Sequence, residues 1–426
     1  MMNSRTPLAQ RYVDQFEESL KTLPGADNRS VTAVRRQGLE SFAALDFPTK
    51  RIEEWRYTNL AALTKPVANE PTEEDALADA DAALETPYEM VFINGVFSAA
   101  DSRLDTLPAG VSLGNLGQTL GSASVITLDD DEDRSLVALN TAFMTDGLSL
   151  HIDDDIAVPG ILGVTYRTTK DAEVGYHSRN LVTLGENASL TLLERHEGTG
   201  RYFTNPVTRI SLAKGATLQH YKLQNDSQHA FHLALLDCEI AAGAKYDNFA
   251  LSVGGRISRN ELKTTILGEG AQSHLNGSYL MRGSQHCDTT TLTEHTVPQN
   301  ISSQIYKGVL DDNAHGVFQG KIHISQDAQQ VAGDQLSKAL LLSDRAAVDC
   351  KPELEIYADD VKCSHGATSG ELDEDALFYL QSRGIPAKQA RLILIEAFMA
   401  DVLEAIENEP VRGYFDAVAT AWLGQA

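Results

Sequence analysis

A pair of small residues recurs through the middle of this chain at a nearly constant spacing: Asn187-Ala188, Gly215-Ala216, Gly243-Ala244, Gly270-Ala271 and, further on, Asn313-Ala314. The first three intervals are 28, 28 and 27 residues. Gly and Asn tolerate the left-handed backbone of a tight corner, and an Ala behind them can turn inward where a larger side chain would collide. Between the pairs lie short alternating runs such as SLTLLERH, RISL, ALLDCEI and LKTTIL, which read as strands. Two strands and two corners per unit suit a stacked coil, whereas the turns of a sandwich recur every 8 to 12 residues or so. The expected core is a right-handed parallel β-helix, with a series of hairpins in an antiparallel sandwich as the competing architecture.

Both ends of the chain change period. Residues 1–84 are rich in Ala, Glu and Leu, with helical segments over Leu8–Leu20 and Val31–Leu45 and a charged linker from Pro66 to Pro87. Residues 85–368 hold the strand pattern, and residues 369–426 return to a helical one. In this tail Asp373 is a natural N-cap, Gly384 ends the first helix and Pro386 opens the next. Leu392, Ile395, Met399, Val402 and Ile406 then form an apolar stripe, widened by Phe398 and Leu403. The last helix is expected to cover most of the stripe, with a partner surface as the alternative. Repeat bodies need capped ends, and the two helical parts are expected to supply the caps.

Composition excludes several classes of function. A formal charge of -25 disfavours nucleic acid and anionic membranes as partners, since both are polyanions. The first twenty residues lack the apolar centre of a signal peptide, and no run of about eighteen apolar residues occurs, so a soluble cytoplasmic protein is expected. Cys238, Cys287, Cys350 and Cys363 form no CxxC pair and read as thiols of a reducing compartment. Gly320-Lys321 lacks the upstream glycine of a phosphate loop, so no bound nucleotide is expected, and GxGxxG, GxSxG and HExxH are absent. Acidic pairs such as Asp153-Asp154, Asp311-Asp312 and Asp359-Asp360 could act on a sugar in a secreted β-helix lyase or hydrolase, but in so acidic a chain they read as solvated turns.

The soft ligands all lie in the strand body: twelve histidines between His151 and His365, and the four cysteines. His229-Ala-Phe-His232 and His286-Cys287 are poor metal motifs on strands, because their spacing sends the two side chains to opposite faces. Cys363 and His365 differ. They follow the extended run ELEIYADDVK and are two residues apart, so in a strand they share a face. A thiolate and an imidazole suit zinc, iron or an iron-sulfur cluster, but two ligands make half a site. Whether Cys350 approaches them depends on a corner that sequence does not define.

Two segments carry a resemblance. RIEEWRYTNL (Arg51 to Leu60) and DDVKCSHGATSGELDEDALFYLQSRGI (Asp359 to Ile385) are similar to the entry and C-terminal signatures of the SufB/SufD family, on its SufD side. The resemblance implies a subunit of the SUF iron-sulfur assembly complex, a non-enzymatic scaffold working with a SufB-like paralogue and with SufC, an ABC-type ATPase bound through the C-terminal helices. It also implies that His365, and less directly Cys363, meets iron or a nascent iron-sulfur cluster shared with the paralogue. SufB-like chains carry EHEA where this one has Ser364-His365-Gly366-Ala367, and a Cys-Gly-Ala-His run after an Asp-Arg or Asp-Lys pair; here Asp344-Arg345 is followed by Ala346, Ala347 and Val348. A stand-alone metal-binding homodimer, its two CSH sites meeting on a symmetry axis, is the further alternative.

Overall fold

The computed structural model describes residues 5–64, 84–104, 107–121, 134–169 and 175–424, so most of the expected linker lies outside the described residues. The middle of the chain is a β-solenoid of about seven turns. Its strands alternate between two sheets, one of ten strands and one whose nine-strand path carries a short strand at its side. The step of the sequence repeat is the step of the register. Thr217 pairs in parallel with Ser189 on one side and Lys245 on the other, and Lys245 pairs with Gln272.

The corners explain the small pairs. Asn187, Gly215, Gly243 and Gly270 have φ of +54°, +70°, +65° and +73°, and the Ala after each is fully buried. At the fifth corner the left-handed residue is Asp312, one position earlier than expected, and Ala314 is still fully buried. The first coil is closed by antiparallel pairing: Tyr88–Ile93 with Val96–Phe97, and Leu148–Ile152 with Val111–Asn115.

Eight α-helices are described: α1 Pro7–Leu20, α2 Arg29–Leu45, α3 Ala61–Thr64, α4 Leu116–Gly121, α5 Ser135–Phe143, α6 Glu374–Ser382, α7 Ala387–Leu403 and α8 Glu409–Gly424. α5 lies within the stretch expected to be strands only. Its run LVALNTAF is buried on every side, so it shows no one-sided stripe to betray a helix. α2 crosses it closely at Gly38, where a Cβ would come within 2.9 Å of the Ala138 carbonyl oxygen.

The helices do not cap the ends as expected. α7 and α8 lie along the outer face of the ten-stranded sheet, where Ile395, Met399, Val402, Phe415 and Trp422 share a core with Tyr221, Leu223, Phe249, Leu251 and Val309. The α7 stripe is thus covered by sheet as well as by α8. Strands buried on both faces lose their alternation, and Phe249-Ala250-Leu251 is such a run. The N-terminal helices pack on the other flank, against Phe203, Val207, Phe231 and Ile257. The entry motif anchors them: Trp55 lies 4.1 Å from the Arg259 guanidinium, Thr58 hydrogen-bonds His286 and Asp288, and Lys351 pairs with Glu53.

Candidate functional site

With the helices on the flanks, no further coil covers the last one among the described residues. Ala347–Ile356 ends one sheet and Val361–Gly370 ends the other, each ten residues long and each paired on one side only among the described residues. Unpaired strands of that length are templates for another chain. Every residue of Ala347–Ile356 is at least partly exposed, in contrast to the buried alternation of the strands before it.

Cys363 and His365 sit on the second of these strands, and the register defines their direction. They pair with Gly333 and Gln335 of Val331–Leu341, whose alternate residues Val331, Gln335 and Ser337 are buried in the solenoid. Both side chains therefore belong to the interior face, left open because no further coil covers it. Cys363 packs beside Ile322, Ile324 and Leu354. Burial pushes its thiol up from the usual range, opposed by the Gly333 backbone. His365 is exposed. The strand period places the two on one face, two positions apart.

The structure also resolves the question of Cys350. It pairs with the buried Phe318, so it too faces inward, from the opposite sheet of the same last coil. Its Sγ lies 3.4 Å from the Ser337 hydroxyl, and Ser337 is the register partner of Ala367. Cys350 thus faces the level of Ala367, two residues along from His365 and four from Cys363. Among the described residues no three His, Cys, Asp or Glu side chains are gathered closely enough to hold a metal ion.

Deeper inside, the solenoid holds a polar cluster that motif reading did not find. Glu194 accepts from His196 and His220, His220 from the Tyr246 hydroxyl, and Lys222 donates to His232 and to Asn260. His232 also meets Asp226 at 3.1 Å. Burial would raise the Glu194 carboxyl, yet the two histidine hydrogen bonds outweigh it and hold that group well below the usual range. The signal was a recurrence of polar residues at every second position, Glu194 and His196, then His220, Lys222 and Gln224, one coil apart. On the outer face of the nine-stranded sheet a groove of about 590 Å³ holds charges in pairs, among them Arg209 with Asp237 and Lys321 with Glu355. The acidic pairs Asp153-Asp154 and Asp359-Asp360 lie in exposed turns and bends.

No helix among the described residues is long and apolar enough to cross a membrane. Two family descriptions together span nearly the whole chain: the SufBD protein N-terminal region over residues 6–164 and the SufBD core domain of the SUF iron-sulfur cluster assembly system over residues 166–398. A SufBD-family iron-sulfur cluster assembly protein of Synechocystis is 31% identical over 95% of this chain and 94% of its own length. The iron-sulfur cluster assembly protein SufD of Escherichia coli is 30% identical over 88% of this chain and 89% of its own. A chloroplastic protein of Arabidopsis thaliana, ABCI7, is 27% identical over 95% and 89%. A solenoid of this repeat, flanked by these helices and matched along both its parts, belongs to the SufBD family of iron-sulfur cluster assembly proteins.

Proposed function

We propose that this chain is the SufD-type scaffold subunit of a SUF assembly complex, non-catalytic itself and cytoplasmic, which joins a SufB-like paralogue at its open end. The observation that carries the reading is the last coil: two ten-residue strands, each with one free edge among the described residues, one of which carries Cys363 and His365 on its interior face. A paralogue that continues both sheets would close the site and complete the ligand set, since two soft donors are too few to hold a cluster. Iron and the nascent cluster are cargo here. His365 offers iron an imidazole nitrogen, and the Cys363 sulfur either binds iron as a thiolate, its proton passing to water, or tunes the site from beside it.

The ABC-type ATPase docks through the C-terminal helices. α6 supports this reading because none of its residues is buried, and Phe378 and Tyr379 are 74% and 56% exposed. The test is co-expression with a SufB-like paralogue and a SufC-like ATPase, followed by intact mass measurement and reconstitution with ferrous iron and sulfide. The expected result is one complex containing all three chains, in which His365→Ala assembles normally and loses at least about tenfold in cluster formation. A mass showing only a symmetric pair of this chain would favour the stand-alone homodimer. Undiminished cluster formation by His365→Ala would remove the ligand role.

A further inference from the structure

We infer that Gln335 is a positioning residue for His365: its buried side-chain carbonyl oxygen, unpartnered here, is placed to accept the N–H of one ring nitrogen when the exposed imidazole turns toward it, which presents the other nitrogen to iron. The inference rests on the ligand reading of His365. Gln335 is 3% exposed, and its Oε1 has no hydrogen-bond partner. A buried acceptor left without a donor costs free energy, so its presence calls for an explanation.

The free atom of this amide is determined by a chain that starts from a group able only to accept. Gln304 Nε2 donates to the Lys321 backbone carbonyl at 3.3 Å and to Thr293 Oγ1 at 3.1 Å. Gln304 Oε1 must then face the other way, where it accepts from Thr291 Oγ1 at 2.7 Å and from Gln335 Nε2 at 2.9 Å. With Nε2 engaged, Gln335 has its oxygen left over. Gly320 leaves room for this amide, because a Cβ there would come within 2.7 Å of the Phe318 ring and 2.9 Å of Gln304 Oε1.

The next residue outward is His365. Gln335 and His365 are register partners on adjacent parallel strands, with backbones about 4.8 Å apart and side chains on one face. A neutral imidazole has one N–H and one lone pair, and the hydrogen bond at one nitrogen decides which nitrogen is free for metal. An acceptor is the right partner, since a donor in that place would bind the lone pair that iron requires. Gln335 thus carries the rigidity of the closed coils into the exposed one.

The experiment follows the histidine tautomer by nitrogen NMR in the full-length chain labelled at histidine, with His365 assigned from the spectrum of His365→Gln. Ferrous iron affinity is measured separately on the assembled complex. In the unaltered chain one tautomer of His365 is expected. Gln335→Met, which keeps the volume and removes the carbonyl, should give a mixture of tautomers and weaken ferrous iron binding by about tenfold. Gln335→Glu retains an oxygen at the free position, with its buried acid protonated toward Gln304, and should restore both properties. A mixed tautomer in the unaltered chain, or an unchanged one in Gln335→Met, overturns the inference. If His365→Ala abolishes iron binding while Gln335→Met changes nothing, positioning alone fails; if His365→Ala binds iron normally, the ligand reading fails with it.

Discussion

Buried histidines make this fold sensitive to acid. His177 accepts from the Tyr12 hydroxyl and donates to Asn205, joining α1 to the solenoid, and burial lowers it to about 4. Burial lowers His286 and His295 to about 4 as well. Unfolded, each titrates near 6.5, so below that value the unfolded chain binds more protons and stability falls as pH descends toward about 4. Each such histidine contributes a slope of about 1.4 kcal/mol per pH unit in that window. The depressed Glu194 carboxylate acts in the same direction at lower pH, stabilising above its unfolded value and losing that effect as it is protonated. Thermal unfolding measured from pH 7 to pH 5 should show a falling midpoint, and His177→Gln should lower the midpoint at pH 7 and make the decline shallower. At the open end, if His365 ligates iron and the thiol acts beside it, Cys363→Ala should reduce cluster formation less than His365→Ala. The shared face of Cys363 and His365 was legible because a two-residue spacing needs only a strand to give it. Gln335 and Gln304 were not: they stand 31 residues apart in sequence, and nothing but the register shows that they touch.

At the scale of elements, the C-terminal helices differ in burial: α7 and α8 pack on the sheet, and α6 buries no residue. α8 is structural: Phe415 is fully buried against Phe249, so Phe415→Ala should cost about 3–5 kcal/mol in chemical denaturation. Removing everything from Leu372 onward would bare Tyr221, Leu223, Phe249 and Leu251, and so cannot test docking without also damaging the body. A double change in α6, Phe378→Ser with Tyr379→Ser, avoids this. It should leave the unfolding midpoint within about 0.5 kcal/mol of the parent while weakening association with the ATPase in a pull-down, and full association would exclude α6 from that interface. The tail's caps were readable, with Asp373 accepting from Asp375 and Ala376 N–H and Gly384 at φ +87°. What covers the α7 stripe was not, because the partner strands are buried on both faces and mix apolar with polar residues on each, so they announce no outer surface. α5 escaped for the kindred reason that a helix buried all round has no period to detect.

At the scale of the whole molecule, charge and chain order matter most. A formal charge of -25 on one rod implies self-repulsion, so added neutral salt should raise the unfolding midpoint between low and physiological ionic strength, and a flat response would show the charges already locally compensated. The repeat made the solenoid legible, since corners of the left-handed kind recur in the chain at the interval of the register. The position of the helices was legible only in part, because flank and end offer equal cover to an apolar stripe and the choice depends on which sheet face is apolar. That choice has a consequence for synthesis. α7 and α8 follow the strands they cover, so on the ribosome the outer face of the ten-stranded sheet is complete while residues 387–424 are still in the tunnel. For that interval the nascent chain shows water a broad patch of Leu, Phe and Tyr, the kind of surface that recruits holding chaperones or sticks to its neighbours. Synonymous slowing of translation over the codons of α7 and α8 should therefore lower soluble yield more than the same slowing in the first helices.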